Sequence, residues 1–305
     1  MSAGPALSRA PALDGVRAIA VLAVLFGHYG RVPSLARGGV TIFFVLSGYL
    51  ITRLLLAEYR RTEGIDIRRF YLRRACRIFP AYYVFLALSW AVLSRTATPM
   101  SPGGVLATTT YTANYYVMSH PQGLVGLIHT WSLSVEEQFY LLWPAALLLL
   151  LRGGLWRVRC GLALAIIGGL ATQSSWVGFG FAGNAPWLAI GCLLATVPPV
   201  SLARWTWTPR WLGNPGLAWI GTVSYPMYLW HVWGAVLGVQ FTDARASRFL
   251  LDIMITVLLA SISYYLVERP VLRWRDQRFP ARPGSAIAGV PLTIPIGGAI
   301  EETKR

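Results

Sequence analysis

Asp14-Gly-Val-Arg17-Ala-Ile-Ala-Val-Leu-Ala-Val-Leu-Phe-Gly-His28 is apolar apart from Asp14 and Arg17 at its start and His28 at its end. Arg17 and His28 stand eleven positions apart. At ~3.6 residues per turn that is almost three turns of helix, so both side chains share one face. A rise of ~1.5 Å per residue sets them ~16 Å apart along the axis, too far to touch. One helix thus carries a guanidinium near one membrane surface and an imidazole near the other. Ionisable side chains inside a membrane segment cost free energy and usually face a cavity or a partner. The Arg17–His28 face is therefore read as the wall of an active site.

The surrounding composition agrees with a membrane setting. The chain has 305 residues, 55% of them hydrophobic and 13% charged, against about 25% charged in average soluble domains. Several apolar stretches approach the ~20 residues that cross a bilayer. The formal charge of +15 raises the possibility of nucleic acid. Its placement argues against that partner, because the cations cluster between apolar stretches as the positive-inside pattern requires. Cys76, Cys160 and Cys192 have neither metal-ligand spacing nor the even number of a disulfide framework. Residues 1–13 are rich in Ala and Pro and show no cleavage-site pattern, so the first span is expected to be retained.

In order, the expected spans are Asp14–Tyr29, Gly39–Ala57, Ile78–Ser94 (with Pro80 in its first turn), a helix running into Leu141–Leu151, Cys160–Thr172, Ala185–Val197, Gly216–Val239 and Phe249–Val267. The dense basic stretch from Arg53 to Arg77 marks the cytoplasmic side. Residues 106–116 are too polar for a confident span, and 96–130 lies outside or dips into the membrane as a re-entrant or extra pair. The fold class is all-α: a polytopic bundle of eight to ten spans with both termini cytoplasmic. Residues 1–13 form a cytoplasmic segment, 14–279 the membrane domain, and 280–305 a Pro/Gly-rich tail expected to be disordered. No internal repeat of the transporter kind is apparent.

Six motifs occur in a fixed order: Leu13-Asp14-Gly15-Val-Arg17 followed by His28; Phe43-Phe44-Val-Leu-Ser47-Gly48-Tyr49-Leu-Ile; Arg73-Arg74-Ala-Cys-Arg77-Ile-Phe79-Pro80; His129-Thr-Trp131-Ser132-Leu-Ser134-Val-Glu136-Glu137-Gln138-Phe139-Tyr140; Ser224-Tyr225-Pro-Met-Tyr228-Leu-Trp-His231; and Ser263-Tyr264-Tyr-Leu-Val-Glu268-Arg-Pro270. Together they resemble the acyltransferase-3 family of integral-membrane acyltransferases over roughly Ala12 to Arg275. The resemblance implies transfer of an acyl group, often acetyl, from acyl-CoA to a hydroxyl of a sugar, cell-surface glycan, lipid or macrolide-type metabolite. Its expected partners are acyl-CoA, the hydroxyl acceptor and membrane lipid, with no permanently bound cofactor, in what reads as a bacterial plasma membrane. Family members often carry an Arg before the helix that here reads Pro186-Trp-Leu-Ala-Ile-Gly191, and none stands at 183–187. Some also carry a C-terminal hydrolase-like domain, for which the residues after Pro280 are too few.

With this resemblance each residue has two readings. His28 is the expected general base, since imidazole titrates near neutrality; otherwise it is an interfacial histidine. Glu136 or Glu137 orients the imidazole as a carboxylate does in a triad, or caps its helix with Ser132 or Ser134. Arg17 binds a CoA phosphate or pairs with Asp14 one turn back. Arg73, Arg74 and Arg77 hold the nucleotide of CoA or anchor the chain to anionic lipid. Ser47-Gly48 is close helix packing or supplies a nucleophile, with no base near it in sequence. Tyr49, Trp131, Tyr228 and His231 are candidates for the substrate pocket, with packing the alternative; Trp131 and Tyr140 also fit an interfacial aromatic belt. The competing functions are a transporter, whose intramembrane charges mark a permeation path, and an inactive membrane scaffold.

Overall fold

The computed structural model describes residues 11–95, 100–124, 126–171, 178–197, 210–241 and 244–279. The described residues form helices and no strand. Five helical stretches are long and apolar enough to cross a membrane: Ala12–Tyr29, Pro33–Thr62, Ile67–Leu93, Thr130–Leu151 and Arg245–Arg278. Phe181–Ala195 is a shorter apolar helix. The chain is an integral membrane protein. The expected tail and the residues before Pro11 lie outside the described residues.

Helix α1 (Pro11–Tyr29) and α2 (Pro33–Thr62) form an antiparallel pair. At ~1.5 Å per residue, the 30 residues of α2 reach ~45 Å, beyond the ~30 Å hydrocarbon core. Its basic end therefore stands clear of the apolar layer. Helix α3 (Ile67–Leu93) begins eleven residues before the span read from sequence. Asp66 caps it by accepting from the Arg69 backbone N–H at 3.0 Å, which satisfies one of the orphan donors of the first turn. Pro80 consequently lies inside α3, not in its first turn. Arg68 to Arg77 are helical, and their guanidiniums leave the axis in fixed directions.

The polar stretch after α3 folds into α4 (Pro102–Thr109) and α5 (Ala113–Ser119). Eight and seven residues give only ~12 and ~10 Å of helix, too short to span a bilayer. They lie against longer helices: Tyr82 donates to the Thr108 carbonyl at 2.8 Å, and Gln138 Nε2 donates to the Tyr111 carbonyl at 2.9 Å. Then follow α6 (Thr130–Leu151), α7 (Leu155–Ala171) and α8 (Phe181–Ala195). The apolar run read as one span, Gly216–Val239, is two helices: α9 (Pro215–Thr222) and α10 (Ser224–Gly238), parted at Val223. Pro226 explains the break. It lacks an N–H to continue the α9 ladder but fits the first turn of a new helix. Helix α11 (Arg245–Ser263) ends in a π-turn, Tyr264–Glu268, and α12 (Arg269–Arg278) continues from it.

Helix α2 packs most closely on α8, and glycines set the distance. A Cβ on Gly48 would collide with the Leu188 carbonyl, and a Cβ on Gly191 with the Val45 carbonyl. Small residues at such a crossing let backbones approach closely in lipid. The packing reading of Ser47-Gly48 thus holds for Gly48, and the α2–α8 contact fixes which way Ser47 faces. Gly191→Val should destabilise the fold by about 1–3 kcal/mol, as overpacking of tight interiors does. Thermal unfolding in detergent measures this; an unchanged midpoint would show that the crossing tolerates a side chain.

Candidate active site

Helical spacing gathers polar side chains from five helices around one cavity. On α6, Ser132, Glu136 and Tyr140 recur every fourth residue and form one stripe. Arg74 and Arg77 face inward from α3, Ser47 from α2, Tyr225 and Tyr228 from α10, and Arg17 from α1. With Glu137 and the apolar Phe43, Phe44 and Leu46, they line about 770 Å³ of space, including its open mouth.

Ser47 Oγ donates to Glu136 Oε1 at 2.8 Å, and the Tyr140 hydroxyl donates to Ser47 Oγ at 2.8 Å. The Arg74 guanidinium stacks over the Tyr140 ring, 3.6 Å from its centroid, a cation–π contact. The cavity holds three guanidiniums, Arg17, Arg74 and Arg77, against two carboxylates, Glu136 and Glu137. Among the described residues none of the three arginines has a carboxylate within 4.0 Å. Asp14, Arg74 and Glu136 are charged neighbours of Arg17, and Arg77 has Arg17, Arg74 and Glu268 as its own.

A row of histidines continues from this cavity toward the far end of α1. Ser132 Oγ and the Tyr228 hydroxyl are 2.6 Å apart, and Tyr228 also donates to the His129 carbonyl at 3.2 Å. The His129 and His231 rings are 4.9 Å apart between centroids, and those of His231 and His28 are 4.8 Å apart. Each imidazole donates to a backbone carbonyl: His28 Nδ1 to Val24 at 2.9 Å, His231 Nδ1 to Tyr228 at 2.7 Å, His129 Nε2 to Leu229 at 3.1 Å. A carbonyl only accepts, so these nitrogens carry the proton. In the neutral rings the other nitrogens, His28 Nε2, His231 Nε2 and His129 Nδ1, hold lone pairs. Among the described residues, His129 Nδ1 and His231 Nε2 are buried without a partner. His28 is exposed and lines a second, open groove with Tyr29, Arg31, Arg245, Arg248 and Asp252.

The structure therefore separates residues that the sequence reading grouped. Arg17, Arg74, Arg77, Ser47, Glu136, Glu137 and Tyr228 share the first cavity. His28 and His231 lie further along the bundle. The expected pairing of His28 with Glu136 is not the contact observed: Glu136 accepts from Ser47, and a backbone carbonyl orients His28. Neither glutamate caps α6. They are its seventh and eighth residues, beyond the first four N–H groups that need caps. Arg73 turns away, donating to the Phe279 carbonyl at 2.8 Å with Asp276 at 3.9 Å. Tyr49 accepts from Arg53 at 2.7 Å outside the cavity lining. Trp131 packs edge-on to Phe44 and Phe179. Tyr140 is buried in the cavity wall, so it is no belt residue.

The acyltransferase-3 family profile, described as an acyltransferase domain, matches residues 11–297. The chain belongs to this acyltransferase family. It is 28% identical to the peptidoglycan O-acetyltransferase OatA of Listeria monocytogenes, over 86% of this chain and 55% of the relative. It is also 28% identical to a putative peptidoglycan O-acetyltransferase, YrhL, of Bacillus subtilis, over 86% and 54%. A putative O-acetyltransferase of Staphylococcus aureus is 28% identical over 93% and 62%. The chain thus spans little more than half the length of these curated relatives. No solved structure matches it.

Four residues of this acyltransferase domain escaped the sequence reading as site candidates: His129, Tyr140, Asp252 and Glu268. The signal for Tyr140 was present in the 132–136–140 spacing. Glu268 is buried on the π-turn with Oε1 unpartnered among the described residues and with Arg77 as its charged neighbour, and π-turns recur at functional sites. The Ser47–Glu136 bond gives the next prediction. Hydrogen bonds to charged groups contribute ~1.5–3 kcal/mol, which corresponds to roughly a 10- to 150-fold change in rate. Ser47→Ala should lower acyl transfer by that amount, and Ser47→Thr should restore most of it. Wild-type turnover in purified Ser47→Ala would remove the Ser47–Glu136 bond from the working site.

Proposed function

We propose that this domain moves an acyl group, acetyl by analogy with its relatives' names, from acyl-CoA in the arginine-lined cavity to a hydroxyl held in the His28 groove. The observation that carries the reading is the set of three guanidiniums, Arg17, Arg74 and Arg77, lining one cavity without ion-pair partners among the described residues. Guanidinium forks suit the phosphates of CoA. The apolar wall of Phe43, Phe44 and Leu46 suits a pantetheine arm. The arm would run along the Ser132–Tyr228 seam toward His28. There the His28 Nε2 lone pair takes the acceptor's hydroxyl proton as the oxygen attacks the thioester carbonyl. The tetrahedral centre collapses, the C–S bond breaks, and the departing thiolate takes up a proton to leave as the free thiol.

The acceptor proposed is a cell-surface glycan hydroxyl, because two relatives are named for peptidoglycan. The setting proposed is a bacterial plasma membrane, with eight to ten spans, both termini and residues 58–77 inside, and the His28 groove outside. Single-cysteine labelling on a Cys-free background tests the sidedness, and labelling of position 120 only from the cytoplasmic face would reverse it.

Acetyl-CoA turnover by the purified protein in liposomes tests the reaction. A general base contributes ~10²–10⁴-fold, so His28→Ala should lose about that much turnover while acetyl-CoA binding stays close to wild type. Arg77→Lys, which keeps the charge but loses the fork, should raise the KM for acetyl-CoA. A protein that neither binds CoA nor cleaves its thioester leaves the polar seam to a transporter or scaffold.

A further inference from the structure

The groove beside His28 carries three arginines, Arg31, Arg245 and Arg248. Their placement runs against two physical expectations. With the Arg68–Arg77 cluster inside, these cations stand at the outer end of the bundle, where the positive-inside pattern makes them sparse. Arg245 and Arg248 also occupy the start of α11, which has no acid in its first turn. A helix N-terminus already presents positive potential and favours anions.

The described counter-charge is small. Asp252 Oδ2 lies 3.9 Å from Arg248 Nε, and Arg31 and Arg245 have no ion pair among the described residues; Asp243 lies outside them. Arg31 is also held in the left-handed region at φ 57, which non-glycine residues usually avoid. The turn that holds it is tied to α1: Arg31 N–H donates to the His28 carbonyl at 3.3 Å, and Val32 N–H to the Gly27 carbonyl at 2.8 Å. A strained arginine is thereby fixed three residues beyond the imidazole.

We infer that the groove binds an acceptor carrying its own negative charge, a carboxylate or phosphate close to the hydroxyl that is acylated. The guanidiniums of Arg31, Arg245 and Arg248 hold that anion and set the hydroxyl against His28 Nε2. This rests on the acyl-transfer reading only in naming the bound molecule as the acceptor. Phosphate of an anionic lipid headgroup offers the same chemistry from another source, and the experiment separates the two.

The probes are a disaccharide of N-acetylglucosamine and N-acetylmuramic acid with its carboxylate free, and the same disaccharide as the methylamide. Calorimetry measures their binding to the full chain in nanodiscs of neutral phosphatidylcholine. The acid should bind about ten times more tightly than the amide, as charge-assisted pairing over neutral pairing gives. Arg245→Gln and Arg248→Gln should each bring the acid toward the affinity of the amide, with acetyl-CoA binding as the control for folding. Equal affinity for acid and amide in the wild type, no detectable binding of the acid, or a preference that survives both substitutions would overturn the inference. Equal affinities combined with a substitution-sensitive thermal shift on adding phosphatidylglycerol would also overturn it, and would assign the arginines to lipid. Selective binding without acetyl transfer would overturn the transfer reading alone; transfer without acid preference would overturn this one alone.

Discussion

The bundle depends on keeping a carboxylate in its interior. A charged group taken out of water is tolerated only where fixed dipoles and opposite charges replace the water. Glu136 accepts a hydrogen bond from Ser47, Ser47 accepts one from Tyr140, and Arg74 covers the Tyr140 ring. Those four residues belong to α6, α2, α6 and α3. The same contacts that make the charge tolerable therefore hold three helices in register. Close approach of α2 to α8 at Gly48 and Gly191 completes the arrangement, because it fixes the rotation of α2 that aims Ser47 at Glu136.

A second consequence follows for the histidines. Three imidazoles packed in a row would be free to choose tautomers if only one another were near. Backbone carbonyls remove that freedom, and every ring is left with one defined lone pair. Two of the carbonyls, those of Tyr228 and Leu229, belong to α10. The break at Val223 lets α10 start afresh, so its own phase places Tyr225 and Tyr228 on the cavity and His231 beside His28. The Tyr29 hydroxyl locks this phase by donating to the His231 carbonyl at 2.7 Å, with Thr256 Oγ1 at 2.5 Å on its other side.

Much of this was legible in the sequence, within definite bounds. The Arg17–His28 spacing needed only the helical period, because the α1 stretch holds no proline or polar run that would interrupt it. The polarity of residues 106–116 argues against a span, and there the chain forms two short helices, Pro102–Thr109 and Ala113–Ser119. Pro80 misled, because a proline marks a first turn more often than an interior, whereas the cap that starts α3 is Asp66, far upstream. The 216–239 run misled in the opposite sense: uniform hydropathy concealed a break for which Pro226 was the only mark. Ser47 and Glu136 lie 89 residues apart, and no local pattern can report a bond set by how two helices rotate against each other. Arg73 and Arg74 are neighbours in the chain, yet ~100° of helical turn sends one to α12 and the other to the cavity.

That His28 is held by the Val24 carbonyl, not by a glutamate, changes what each charged group is free to do. A carbonyl fixes the tautomer and the ring plane without adding a second charge at the groove. The carboxylates are then left at the opposite end, among the arginines, where three cations would otherwise repel one another. Glu136 and Glu137 moderate that repulsion, so the guanidiniums can share one cavity. Near His28 the balance is reversed: Asp252 is the carboxylate described there, against three guanidiniums. Charge is thus concentrated at the two ends of the bundle's polar seam, while neutral hydroxyls and imidazoles occupy its middle. That middle offers hydrogen-bonding groups that hold no ion of their own.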